Sequence, residues 1–107
     1  MAPPSPHTFG LLGMLSTRPW TSYELTQQVR RSLRFMWPTS EGHLYREQKR
    51  LVALGWARVE EERAGLRTRK RYTITSKGRT ALAAWLSTEP EEPTLQIEGI
   101  LRMFFAD

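Results

Sequence analysis

The run Arg63-Ala64-Gly65-Leu66-Arg67-Thr68-Arg69-Lys70-Arg71 sets five cations in nine residues around one glycine. Strand-compatible stretches flank it, Gly55-Trp56-Ala57-Arg58-Val59-Glu60-Glu61-Glu62 before and Arg71-Tyr72-Thr73-Ile74-Thr75 after. Alternating residues on both sides of a glycine predict a β-hairpin with a cationic tip, with Val59, Tyr72 and Ile74 facing inward. Taken alone, a charge run suits a solvated loop equally well. The order of the elements around it is the stronger constraint. The segment from about Glu41 to Leu54 has helical spacing and stops at Gly55, a good left-handed terminator, so the chain passes from a helix directly into the hairpin.

Two helices are expected before it. Thr8 to Leu15 reads as a short buried helix that ends ahead of Pro19, since proline pushes Arg18 out of helical geometry. Thr21-Ser22-Tyr23-Glu24 has the form of a capping box, with Leu25, Val29 and Leu33 continuing one apolar stripe. In the third helix Leu44, Leu51 and Leu54 share a face, while His43, Arg46, Lys49 and Arg50 project elsewhere. Beyond the hairpin, Thr75 can cap a fourth helix with core candidates Leu82, Trp85 and Leu86. Helix, helix, helix, strand, basic loop, strand, helix is the order of a winged helix-turn-helix. In that fold a helix enters a DNA groove and the hairpin touches phosphate.

The predicted class is therefore mainly α with a small β-hairpin, a winged helix-turn-helix domain followed by a C-terminal helix. Residues 1–7 form a flexible arm, 8–87 the domain, 88–93 an acidic, proline-broken linker and 94–107 the last helix. In that last helix Ile97, Ile100, Leu101 and Phe104 make an apolar face too strong for a lone helix of about eleven residues in water. It must pack on its own domain or on a second subunit.

Charge is distributed unevenly. Residues 1–86 carry 15 Lys/Arg against 6 Glu, or +9, and residues 87–107 carry one Arg against five carboxylates, or −4. The domain is thus suited to a polyanion, although an acidic protein would also fit. The sequence has no cysteine, no membrane-length apolar run and no signal-peptide pattern at its start, which leads to a cytoplasmic expectation. Enzyme chemistry is not expected. His7 and His43 lie in unrelated contexts, and no phosphate loop, metal spacing or nucleophile–base pair appears. Strand alternation splits Glu60, Glu61 and Glu62 between two faces, so no metal or other cofactor is expected there.

The chain resembles the PadR family of bacterial transcriptional regulators from about Phe9 to Leu86. Phe9-Gly10-Leu11-Leu12-Gly13-Met14-Leu15 is similar to the family's opening helix, and Ser22-Tyr23-Glu24-Leu25 to the Gly-Tyr-Glu-Leu that starts its second. Trp37-Pro38-Thr39-Ser40-Glu41-Gly42-His43-Leu44-Tyr45 resembles its most recognisable run. Lys49-Arg50-Leu51, Leu54-Gly55-Trp56, Lys70-Arg71-Tyr72 and Thr75-Ser76-Lys77-Gly78-Arg79 follow in the family's order. Two departures stand out. The family commonly has Pro after Leu-Tyr where this chain has Arg46-Glu47-Gln48, and Thr68 replaces the usual Pro of the wing. Most members continue into a longer helical region used for dimerisation, of which residues 94–107 resemble the beginning.

The resemblance implies a duplex-DNA-binding regulator, a repressor acting as a homodimer on a palindromic operator. On the recognition helix the candidates are Thr39, Ser40, His43, Tyr45, Arg46 and Lys49. Arg46 and Lys49, three apart, can each reach guanine O6/N7 or phosphate. Ser40 reads first as an N-cap, Tyr45 also as a core aromatic and His43 also as a solvated residue. On the wing the candidates are Arg67, Thr68, Arg69 and Lys70, for phosphate or the flanking minor groove. Arg71 instead suits a cross-hairpin pair with Glu60 or Glu62. Trp20, Trp37, Trp56 and Trp85 suit packing first and a flat aromatic effector second. Two other classes remain, a winged-helix protein-interaction module and an RNA binder, though no exposed aromatic platform for unstacked bases is evident.

Overall fold

The computed structural model describes residues 3–33, 40–88 and 105. Along the chain run α1 (Pro6–Thr17), β1 (Trp20–Thr21), α2 (Ser22–Gln28) continued by a π-helical turn (Val29–Leu33), and α3 (Glu41–Ala53). The hairpin strands β2 (Ala57–Ala64) and β3 (Arg67–Ile74) and then α4 (Ser76–Leu86) complete the described elements.

Each helix starts where a side chain can accept its free N–H groups. Helix α1 begins at Pro6, two residues ahead of the expected start, because Ser5 and Thr8 form a reciprocal capping box. Proline at the first helical position costs no hydrogen bond, and the helix so takes in His7. Thr21 and Glu24 close the box expected for α2: Glu24 Oε1 accepts from Thr21 N at 2.8 Å, and Thr21 Oγ1 from Glu24 N at 3.1 Å. Thr75 caps α4, accepting from Gly78 N at 3.0 Å.

The sheet has three antiparallel strands in the order β1-β3-β2. The third strand was not foreseen: Pro19 holds the chain extended, and Trp20 and Thr21 then pair with Tyr72 and Arg71. Two residues are too short a run to show periodicity. The hairpin is also longer than expected. Pairing runs from Ala57↔Ile74 to Ala64↔Arg67, leaving only Gly65 and Leu66 in the turn. Gly65 has φ +69 and no non-glycine residue among those described has positive φ, the pattern of a type II′ hairpin turn. Val59 lies on the predicted inward face but is not buried. It is 38% exposed, since only the hairpin base, with Ala57, Tyr72 and Ile74, lies over the helices.

Helix α1 lies at the centre, with Leu11, Leu12, Met14 and Leu15 buried among Leu25, Val29, Leu44, Leu51 and Leu82. Phe9 stacks on Trp85 at 4.7 Å and packs on Trp56 at 5.3 Å between ring centroids. Gly78 lets α4 close on the Trp56 carbonyl, where a Cβ would collide. Phe105 packs against this same core, with its ring over Gly13 of α1. The proposed dimerisation residues Ile97, Ile100, Leu101 and Phe104 lie outside the described residues, as do Thr39 and Trp37.

Candidate nucleic-acid interface

Helix α3 divides into two faces. Leu44, Glu47, Gln48 and Leu51 are buried, which leaves Gly42, Tyr45, Arg46 and Lys49 on the solvent side at spacings of three and four. Of the recognition-helix candidates, Tyr45, Arg46 and Lys49 thus share one outward face. Ser40 serves as the N-cap, its hydroxyl accepting from His43 N at 3.1 Å. A Cβ on Gly42 would sit 3.5 Å from Arg46 Nη1, so the Arg46 guanidinium reaches back over the first turn.

His43 is turned away from that face. Its Nε2 lies 3.8 Å from Glu47 Oε1, and its ring meets His7 of α1 edge-on at 5.4 Å. Glu47 itself accepts from the buried Thr8 hydroxyl at 3.1 Å and lies 3.4 Å from Arg50 Nε. Burial lowers the His7 pKa below its ordinary value, the neighbouring His43 lowers it further, and Glu47 opposes both. The unusual Arg46-Glu47-Gln48 run is therefore half outward and half inward, since Gln48 Oε1 accepts from Ser22 Oγ of α2.

The wing candidates sit on β3 and not in the turn, so they alternate. Arg67, Arg69 and Arg71 share a face with Glu60 and Glu62, while Thr68 and Lys70 share the other with Glu61 and Arg63. Glu62 takes a two-pronged bond from Arg71, with Nη2 at 2.8 Å and Nε at 3.1 Å, and lies 3.7 Å from Arg69. Those Arg71 bonds hold the Glu62 carboxyl below its usual range. Two of the five wing cations are thus partly neutralised. Arg63, Arg67 and Lys70 have no ion pair among the described residues.

Tyr23, absent from the sequence-based candidates, is 68% exposed. With Glu24 it faces Ala64, Arg67 and Arg69 across a groove of about 500 Å³ between α2 and the hairpin. Its signal in the sequence is that it falls off the Leu25/Val29 stripe. The described tryptophans are engaged in packing: Trp20 donates to the Met14 carbonyl at 2.8 Å beneath the Arg18 guanidinium, and Trp56 and Trp85 flank Phe9. Among the described residues no cluster of three His, Asp or Glu could hold a metal, and no helix is long and apolar enough to cross a membrane.

Comparison with known proteins gives this geometry a setting. Residues 11–84 match the Transcriptional regulator PadR-like family. The negative transcriptional regulator PadR of Bacillus subtilis is 26% identical over 99 residues, covering 91% of this chain and 54% of the relative. A probable transcriptional regulator of Mycobacterium tuberculosis is 30% identical over 90 residues, covering 83% of this chain and 46% of its own length. The chain thus spans about half the length of these relatives. The crystal structure of Bacillus subtilis PadR in complex with operator DNA superposes with a TM-score of 0.73 at 26% identity, over 92% of this chain and 58% of that one. The winged helix is the shared architecture.

Proposed function

Because this chain belongs to the PadR-like family, one of transcriptional regulators and not of enzymes, we propose that it binds duplex DNA sequence-specifically and represses transcription. In this reading α3 enters a major groove, Tyr45, Arg46 and Lys49 face the bases and phosphates, and Arg67 and Lys70 of the wing meet the flanking backbone. The observation that carries it is the division of α3. Its inward side packs against α1 and α2, while its outward side presents two cations and a tyrosine, and the hairpin adds three cations with no ion pair among the described residues. The Bacillus relative, solved with operator DNA, supports the partner.

The protein acts as a homodimer on a palindromic operator in the cytoplasm, with Ile97, Ile100, Leu101 and Phe104 in the subunit contact. Light scattering of the protein, alone and with a randomised pool of short duplexes, tests both parts. A dimer that forms a dimer–duplex complex, and whose binding weakens steeply with salt, is the expected result. A protein whose mass ignores DNA at low salt would overturn it and leave the protein-interaction module.

A further inference from the structure

We propose that Leu66 is a minor-groove wedge, an apolar residue the wing inserts at a deformable base step beside the site read by α3. The inference rests on the DNA-binding reading above. Leu66 occupies the second position of the two-residue turn and is 104% exposed, so its side chain touches nothing in its own domain. Turn positions of this kind favour Gly, Asn, Asp or Ser, and a leucine is out of place there unless something covers it.

The surroundings identify the cover as a polyanion. From Arg63 to Arg71 the hairpin carries five cations and no carboxylate, and Arg63 and Arg67 lie on either side of the turn. A protein partner suited to the leucine would have to tolerate this charge, whereas a DNA groove supplies phosphates at its rims and apolar base edges within. Reach is adequate too. The last paired rung with a buried residue is Val59↔Tyr72, and five further rungs lead to Ala64↔Arg67. At about 3.4 Å per residue, the turn lies roughly 17 Å along the hairpin from that rung. That exceeds the roughly 12 Å width of the major groove α3 would fill. The positive φ of Gly65 and the two-residue turn hold the leucine at the apex without a flexible loop.

Energetics make the wedge selective. The gain from burying one leucine and the cost of unstacking one base step are of the same order, so insertion occurs only where unstacking is cheapest. Those are pyrimidine–purine steps, TA or CA. Leu66 is then a specificity-determining residue that reads deformability and makes no hydrogen bond.

Parallel selections from a randomised duplex pool test this with wild type, Leu66→Ser and Leu66→Met, followed by end-to-end fluorescence transfer on the wild-type consensus to measure bending. The wild type is expected to select a pyrimidine–purine step flanking the α3 half-site by roughly tenfold over other steps and to bend the duplex there. Leu66→Ser loses that preference and the bend but keeps the α3 bases, and Leu66→Met retains all three. A serine variant with the same flanking preference and bend overturns the wedge alone. A wild type that selects no sequence and shows no salt-dependent binding overturns the wedge and the operator reading together.

Discussion

Glu62 restrains the wing, and its neutralisation is expected to strengthen DNA binding. The carboxylate holds Arg71 at 2.8 and 3.1 Å and draws Arg69 to 3.7 Å, on the face shared with Arg67. Glu62→Gln keeps an amide oxygen for Arg71, so the hairpin register survives, but it frees the Arg69 guanidinium for a phosphate. One added phosphate contact steepens the fall of log K with log salt by about 0.9. Between about 50 and 200 mM salt the variant therefore loses about 3.5-fold more affinity than the wild type, starting from tighter binding at the low end. Anisotropy of a labelled duplex across that range reads the slope directly, and a non-specific duplex suffices because the effect is independent of sequence. Glu61→Gln is the control. It removes the same charge from the opposite face, where no arginine is held. If Glu62→Gln matches the slope of Glu61→Gln, Arg69 is not a latent phosphate contact and the reasoning fails.

Arg67→Ala, which removes a cation with no ion-pair partner among the described residues, flattens the salt slope by about 0.9 for every duplex, and an unchanged slope removes Arg67 from the contacts. Gly78→Ala drives a Cβ into the Trp56 carbonyl and to 2.9 Å from Ile74 Cγ1, so overpacking of about 1–3 kcal/mol lowers Tm by roughly 5–20 °C in a thermal melt. Thr8→Val strips a buried bond from Glu47 and breaks the Ser5 capping box, at a cost of about 1–3 kcal/mol read by urea unfolding. His7 has a folded pKa below 6.5, so the unfolded chain binds its proton more readily. Its contribution to stability is present above pH 6.5 and is lost as pH falls below it. The urea midpoint should thus drop on acidification through that value and drop less in His7→Asn.

Legibility in the sequence followed the range of the interactions. Capping boxes are local, and Thr21/Glu24, Ser40 and Thr75 stand at the helix starts as read. The stop at Gly55 is equally local, with φ +76 at that residue. Strand β1 was invisible because its partner lies about fifty residues away and its two residues carry no period. The exposure of Val59 has a similar cause. Its register is correct, opposite the buried Tyr72, but how far the helices extend beneath the sheet is not encoded near residue 59. On α3, the outward placement of Arg46 and Lys49 was legible from helical spacing. The inward turn of His43 was not, since it depends on Thr8, His7 and Glu47 meeting across two helices.

That meeting bears on how a helix so poor in apolar residues can hold a defined orientation. Only Leu44 and Leu51 on α3 are fully buried hydrophobic residues, and two leucines seven apart define a seam about which the helix could roll. The polar contacts limit that roll from both sides. Glu47 is tied to Thr8 of α1, and Gln48, the next residue and 100° further round, is tied to Ser22 of α2. A roll toward either neighbour breaks a buried hydrogen bond at the other, at about 1–3 kcal/mol for each group left unsatisfied. In the proposed complex, orientation in the groove thus depends on the inward half of the Arg46-Glu47-Gln48 run, and the outward half inherits its aim from it. Glu47→Leu, which leaves the buried Thr8 hydroxyl without this acceptor, should then lower stability by about 1–3 kcal/mol and, measured well below the thermal midpoint, lower discrimination between selected and random duplex. If discrimination is unchanged, the apolar seam alone sets the angle of α3.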